Sequence, residues 1–156
     1  MDYRPEPLII DRRIGRPPWD VNPFVREVLL LSDRAKQLFE EIDAAAFQFV
    51  RLESFERDAA GDHPIAPYWL CDVIRCIDAV IRNQPDVTIN HLENGTYTFN
   101  LESNGKVKFD AARIGAARVF RLAYKNPYVM MDGAARSLIT KARLIGPQFA
   151  LKGVKQ

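Results

Sequence analysis

Val129-Met130-Met131-Asp132, then Ala134-Ala135-Arg136-Ser137-Leu138-Ile139-Thr140-Lys141-Ala142, then Gly146-Pro147-Gln148-Phe149-Ala150-Leu151 is the stretch that decides the fold. One hundred positions earlier stand Leu29-Leu30-Leu31-Ser32, Arg34-Ala35-Lys36-Gln37-Leu38-Phe39-Glu40-Glu41-Ile42 and Phe47-Gln48-Phe49-Val50. At that single offset, without a gap, Ala35 meets Ala135, Leu38 meets Leu138, Gln48 meets Gln148 and Phe49 meets Phe149. Each copy starts with three apolar residues, reaches a residue able to cap a helix (Ser32, Asp132), continues at helical spacing and ends in a short apolar run. Both therefore read as strand, helix, strand.

In the first helix Ala35, Leu38, Phe39 and Ile42 fall at i, i+3, i+4 and i+7, and Ala135, Leu138, Ile139 and Ala142 do the same in the second. One stripe of each helix is buried on this reading. Neither unit can cover its apolar strands alone, so both are expected to pack on shared sheet. Gly133, just after the cap, reads as a point of close backbone approach.

Outward from these units, the region from Tyr3 to Pro23 holds five of the ten prolines, with Leu8-Ile9-Ile10 as its one plausible strand. It reads as an extended arm anchored by Trp19, because proline neither continues a helix nor joins a sheet interior. Glu53 to Pro67 is polar and net acidic with no apolar period, and reads as a surface loop and candidate contact surface. Pro67 to Ile81 is the most apolar segment: a buried strand in front, a short helix behind, on which Asp72, Arg75 and Asp78 share a face. Asn94-Gly95 and Asn104-Gly105 separate three alternating runs, Val87–His91, Thr96–Leu101 and Lys106–Phe109. Asn-Gly supplies the positive φ of tight hairpins, so these runs form a three-stranded meander. A short helical piece near Ala111 and a strand ending Val119-Phe120-Arg121-Leu122 lead into the second unit.

The expected fold class is thus α+β: a mixed or antiparallel sheet with a three-stranded meander and two strand-helix-strand units, near 28–52 and 128–151. The 156 residues suit a single domain, with residues 1–27 as the arm and 28–156 as the globular body. At 47% hydrophobic and 27% charged residues the chain is ordinary for a folded protein. A formal charge of +2 is too weak to predict nucleic-acid binding. The start of the chain lacks a basic segment followed by an apolar run, and no stretch approaches the roughly 20 apolar residues that cross a bilayer. A cytoplasmic protein, away from membranes, is the expectation.

There is no Gly-x-Gly-x-x-Gly and no phosphate loop. Cys71 and Cys76 match neither a redox pair nor a zinc knuckle and read as reduced core residues, with a disulfide or metal site as the alternative. His63 beside Asp62, and the carboxylates Asp72 and Asp78, are the only candidates for acid–base work. The expectation is no enzyme, no cofactor and no metal.

Tyr68-Trp69-Leu70-Cys71-Asp72-Val73 with Cys76-Ile77-Asp78-Ala79, Val119-Phe120-Arg121-Leu122, Val129-Met130-Met131-Asp132 and Gly146-Pro147-Gln148-Phe149 together resemble a bacterial family. It was first catalogued as a domain of unknown function and later assigned to the immunity proteins of polymorphic toxin systems, of the type called immunity protein eleven. The resemblance covers Leu29 to Leu151 and leaves the arm outside. Asp72 stands where the family pattern has Asn, and Asp132 where Ser is usual; both keep the capping and hydrogen-bonding character.

The resemblance implies stoichiometric neutralisation of a cognate toxin protein, with no chemistry done by this chain. Tight binding needs buried aromatic or Arg anchors inside a polar rim. The candidate anchors are Trp19, Phe55, Tyr68 and Trp69, and the acidic residues Glu53, Glu56, Asp58 and Asp62 are placed to steer a basic toxin such as a nuclease. Two other readings stand beside this one. The chain could be a module that self-associates through sheet edges or the arm, its oligomeric state being open, or a small enzyme built on Asp72 and Asp78 or on His63.

Overall fold

A computed structural model describes residues 5–25, 27–101, 107–124, 128–149 and 153–155. In chain order, β1 (Leu8–Asp11), β2 (Val21–Pro23) and β3 (Leu29–Ser32) lead into helix α1 (Asp33–Asp43) and a 3-10 turn (Ala44–Ala46). Then follow β4 (Phe47–Leu52), β5 (Ser54–Asp58), β6 (Gly61–Pro64), β7 (Tyr68–Val73) and β8 (Cys76–Ile77). β9 (Val87–His91), β10 (Tyr97–Leu101) and β11 (Val107–Phe109) precede the short helix α2 (Ala111–Ile114). β12 (Val119–Leu122), β13 (Val129–Met131), α3 (Gly133–Lys141) and β14 (Gly153–Lys155) complete the order. The architecture is mixed α+β, with short helices on several mostly antiparallel sheets.

The first unit forms as its residues dictate. Ser32 Oγ accepts from the Ala35 N–H at 3.3 Å, opening α1, whose Ala35, Phe39 and Ile42 are buried. β3 and β4 flank β7 in a four-stranded sheet of order β2-β3-β7-β4, and α1 covers one face of it. The second unit is shorter than expected. Asp132 accepts from the Ala135 N–H at 2.6 Å and opens α3, but only Ala135 and Ile139 are buried; Leu138 and Ala142 are exposed. After α3 the residues 147–149 are not a strand. Gly146 turns with φ +115°, Pro147 lacks an N–H, and Ile145 just before them bonds to Asp20 and Val21 of the arm.

The two units share a core rather than a sheet. β13 belongs to a separate sheet of order β13-β12-β8, while Ala35, Phe39 and Ile42 of α1 meet Ala135 and Ile139 of α3 in one apolar cluster. Gly133 is not a site of close approach: nothing lies within 4 Å of where its Cβ would stand. β12 is buried along its whole length and separates two cores. Val119 joins the cluster under α1, whereas Phe120 and Leu122 join a second cluster with Val80, Phe99, Val107 and Phe109.

Three further expectations are corrected. The region after Glu53 is a hairpin, β5–β6, and not a loop. Arg57 and Asp62 pair across it at 2.6 Å, and Gly61 turns at φ +127°. Both faces of this hairpin are largely wet, so it leaves no apolar period in the sequence. The rear of the apolar segment is β8, parallel to β12, with Val80 bridged to Phe109; it is not a helix. β9 and β10 form the expected hairpin around Gly95, but β11 pairs in parallel with β14. The second Asn-Gly turn lies outside the described residues.

The arm enters the sheets twice. β1 lies parallel to β5, and β2, an edge strand ending in Pro23, pairs with β3. Its anchor is Asp20 rather than Trp19, whose side chain is 53% exposed. Asp20 accepts from Ser32 Oγ at 2.8 Å, from Arg34 Nε and Nη2 at 2.7 Å and from the Ile145 N–H at 2.9 Å. One carboxylate thus joins the arm, the start of α1 and the segment after α3.

Candidate functional site

β4 and β7 continue past a bend into β5 and β6, so the hairpin is the far end of one long ribbon. Ser54 holds the bend. Its buried hydroxyl donates to the Leu52 carbonyl at 3.1 Å and accepts from the Tyr68 N–H at 3.0 Å. Five of the residues singled out by sequence gather here: Glu53, Phe55, Glu56, Asp58 and Asp62. Phe55 pairs with Ile9 of β1 and is half-buried.

The structure gives three of the four carboxylates a basic neighbour. Arg12 donates to Glu56 at 2.7 Å, Arg57 to Asp62, and His63 Nε2 lies 3.2 Å from Asp58. The Arg57 guanidinium lowers the Asp62 carboxyl, and the Ala60 N–H followed by His63 lowers that of Asp58. On the neighbouring strand Asp11 is held at about 2, chiefly by hydrogen bonds from Arg13. The acidic run in the sequence is therefore a patch of interleaved charges on the surface. Arg12, Arg13 and Arg57 sit among its carboxylates.

Tyr68 and Trp69 are neighbours in β7 and so point to opposite faces. Trp69 lies on the α1 side. Its indole N–H donates to Asp33 at 2.9 Å, and Lys36 sits 4.6 Å from the ring. Tyr68 lies on the other face, where its hydroxyl donates to the Pro18 carbonyl at 3.3 Å, and burial raises its pKa. Trp19 follows Pro18 and is bonded through its backbone to Asn22. Tyr68 thus reaches the arm next to Trp19 from the outer face of the four-stranded sheet, and Trp69 lies behind it. Leu70 and the exposed Val50 extend this face by cross-strand pairing.

The residues proposed for acid–base work do not meet. Asp72 receives Arg121 at 2.6 Å; Asp78 receives Arg82 at 2.7 Å and Arg113 at 3.0 Å; Arg75 pairs with Asp43. His63 faces Asp58 and not Asp62. Cys71 is buried, which pushes its thiol up to about 12, while Cys76 is exposed, and both are free. Among the described residues no group of three His, Cys, Asp or Glu could hold a metal ion.

What sequence reasoning missed is polar and buried. Arg121 donates to the Val73 carbonyl at 2.8 Å, to the Glu27 carbonyl at 2.8 Å, and to the carboxylates of Asp72 and Glu27. Asp43 accepts from both terminal nitrogens of Arg75 and from the N–H groups of Arg118 and Val119. An apolar cleft of about 660 Å³ also opens where α3 and β13 face Val21 and Phe149. Arg136, 5.6 Å from the Phe149 ring, is its one basic lining residue among the described residues.

The model of the immunity protein family (Imm11) matches residues 2–152. The arm thus falls inside the matched region, although the resemblance read from the sequence reached back only to about Leu29. No curated protein matches the chain. Among the described residues no helix is long and apolar enough to cross a membrane.

Proposed function

The chain belongs to the immunity protein family, and from that membership we propose that it binds a cognate bacterial toxin one to one and neutralises it in the cytoplasm by protein–protein contact. The observation that carries this reading is the family match, which takes in the arm, both helical units and the ribbon. No reaction is assigned to the chain itself.

The outer face of the four-stranded sheet supports the reading. Half-buried Tyr68 and Leu70 lie on it, and Tyr68 bonds to Pro18 of the arm, whose next residue, Trp19, stands 53% exposed. Aromatic residues held in place beside apolar neighbours are the usual anchors of tight interfaces, and a standard interface buries about 1,600 Å² in total. The hairpin adds Phe55 with Glu53, Glu56, Asp58 and Asp62 at its rim. Ion pairing within the hairpin reduces its long-range field, so its role is contact and register with a basic partner more than distant attraction.

Affinity capture with the full chain as bait, followed by expression of what is retained at one-to-one stoichiometry, tests the reading. The expected partner arrests growth alone and loses that effect when this chain is co-expressed. A bait that retains no such polypeptide, or that fails to reverse its effect, overturns the proposal.

A further inference from the structure

β4 is an edge strand: in the order β2-β3-β7-β4 it pairs only with β7, over six residues from Phe47↔Val73 to Leu52↔Tyr68. The Ile74 N–H donates to the Ala46 carbonyl at 2.9 Å, which makes 46 and 74 a hydrogen-bonded pair. In an antiparallel ladder such pairs alternate. Gln48, Val50 and Leu52 therefore turn their backbone groups toward β7, and Phe47, Phe49 and Arg51 turn theirs outward. The Phe47 N–H is taken by Ala44. Among the described residues nothing bonds to the backbone of Phe49 or Arg51 on that side.

The same edge already takes a strand farther along. Leu8 N–H donates to the Glu53 carbonyl at 2.8 Å and Arg12 N–H to that of Arg57 at 3.3 Å, so β1 occupies the outward groups of the odd-numbered residues of β5. Its pairing begins at Leu8, just after Pro5 and Pro7. Among the described residues the edge of β4 continues that line without an occupant. It has no proline and no bulge in its register, and Val50 is 40% exposed.

We propose that the bound toxin supplies an extended segment that pairs with the open edge of β4 opposite Phe49 and Arg51, an inference that rests on the immunity reading. The segment carries an apolar side chain beside Val50 and a carboxylate beside Arg51, which has no ion pair among the described residues. A second copy of this chain fits less well. β4 reads Phe-Gln-Phe-Val-Arg-Leu and holds no carboxylate, so antiparallel pairing of two copies offers Arg51 only Phe or another Arg on its own face.

Amide hydrogen exchange on the full chain, free and saturated with the polypeptide whose growth arrest it reverses, tests this. The Phe49 and Arg51 amides exchange fast in the free chain and slow by about tenfold or more in the complex, while Gln48 and Val50 are slow in both. Arg51→Pro removes the outward N–H together with the side chain and weakens binding by about tenfold or more, whereas Arg51→Ala, which loses the side chain but keeps that N–H, costs clearly less. If neutralisation persists with no slowing at Phe49 and Arg51, the edge is not the site and the immunity reading stands. Slowing that follows the concentration of the free chain assigns the edge to a second copy and overturns the proposal. If the chain reverses no toxin at all, the immunity reading fails first and takes this inference with it.

Discussion

The backbone carbonyl of Val21 fills the space that a side chain on Gly146 would need. Gly146 also sits at φ +115°, a region that side chains other than glycine's rarely adopt. Both facts come from one arrangement: the Val21 N–H donates to the Ile145 carbonyl at 3.0 Å, drawing the segment after α3 against β2. Gly146→Ala therefore destabilises the fold by roughly 3 kcal/mol, because the obstacle is backbone that cannot rotate away. Gly133→Ala is the control. Its Cβ meets nothing and it lies in the first turn of α3, so stability rises by about 0.5 kcal/mol. Denaturant unfolding of the two variants decides; equal effects would remove the argument.

Arg121 and Asp72 form one ion pair with two unequal members. Arg121 is buried and its loss strands the carbonyls of Val73 and Glu27 along with two carboxylates. Asp72 is half exposed, and water can replace the arginine there. Arg121→Ala is expected to cost about 3 to 5 kcal/mol, and Asp72→Asn about 1 kcal/mol or less. Urea midpoints measure both. A large loss at Asp72→Asn would show that the outer face depends on that charge.

Asp20 gives the fold a pH dependence with a definite sign. Its carboxyl is held at about 2, against 3.8 for the free group, first by the Arg34 hydrogen bonds and then by those of Ile145 and Ser32. The folded-state value is the lower one, so this contribution is fully present above pH 3.8 and is lost as pH falls through about 2. Allowing for the exposure of Arg34, it amounts to roughly 1 to 2 kcal/mol. Asp20→Asn is expected to flatten the stability profile in that window and leave its shape above pH 5 unchanged, as followed by thermal unfolding across pH. A profile unaltered by the substitution would place the acid sensitivity elsewhere, with Asp43 the next group to examine, since Arg75 and the N–H groups of Arg118 and Val119 lower it against burial.

The parts of this fold legible in the sequence are those where one strip of residues meets one uniform environment. α1 shows its stripe because Ala35, Phe39 and Ile42 face a single core, and the β9–β10 hairpin shows its turn because Gly95 needs a positive φ. The β5–β6 hairpin leaves no such pattern because Glu56, Arg57 and Asp58 are ion-paired on both of its faces, so apolar and polar residues do not alternate. β12 was found as a strand, but nothing in Val-Phe-Arg-Leu reveals that Arg121 is buried against partners 49 and 94 positions away. Tyr68 and Trp69 stand side by side in the sequence as candidate anchors, but in a strand that adjacency puts them on opposite faces. The open edge of β4 was equally invisible, as which strand ends a sheet depends on pairings made across the whole chain.

That separation of Tyr68 from Trp69 sets the last prediction, which concerns the two tryptophans. Trp69 bonds to Asp33, stacks under Lys36 and packs on the core beneath α1. Trp69→Ala removes a large part-buried ring and the indole donor to Asp33, which keeps only the Gln37 amide, so it costs roughly 3 kcal/mol of stability. Trp19 contributes its backbone to the Asn22 contacts but presents its ring to solvent, so Trp19→Ala changes stability by about 0.5 kcal/mol or less. If the outer face of the sheet is where the toxin binds, the order reverses in the complex. Trp19→Ala then weakens binding by about tenfold or more at unchanged stability, whereas Trp69→Ala weakens it only as far as it unfolds the chain. Titrating each variant against the captured toxin, at a temperature where both remain folded, separates the two effects. Full affinity in Trp19→Ala would move the contact surface away from the arm and toward the hairpin and the edge of β4.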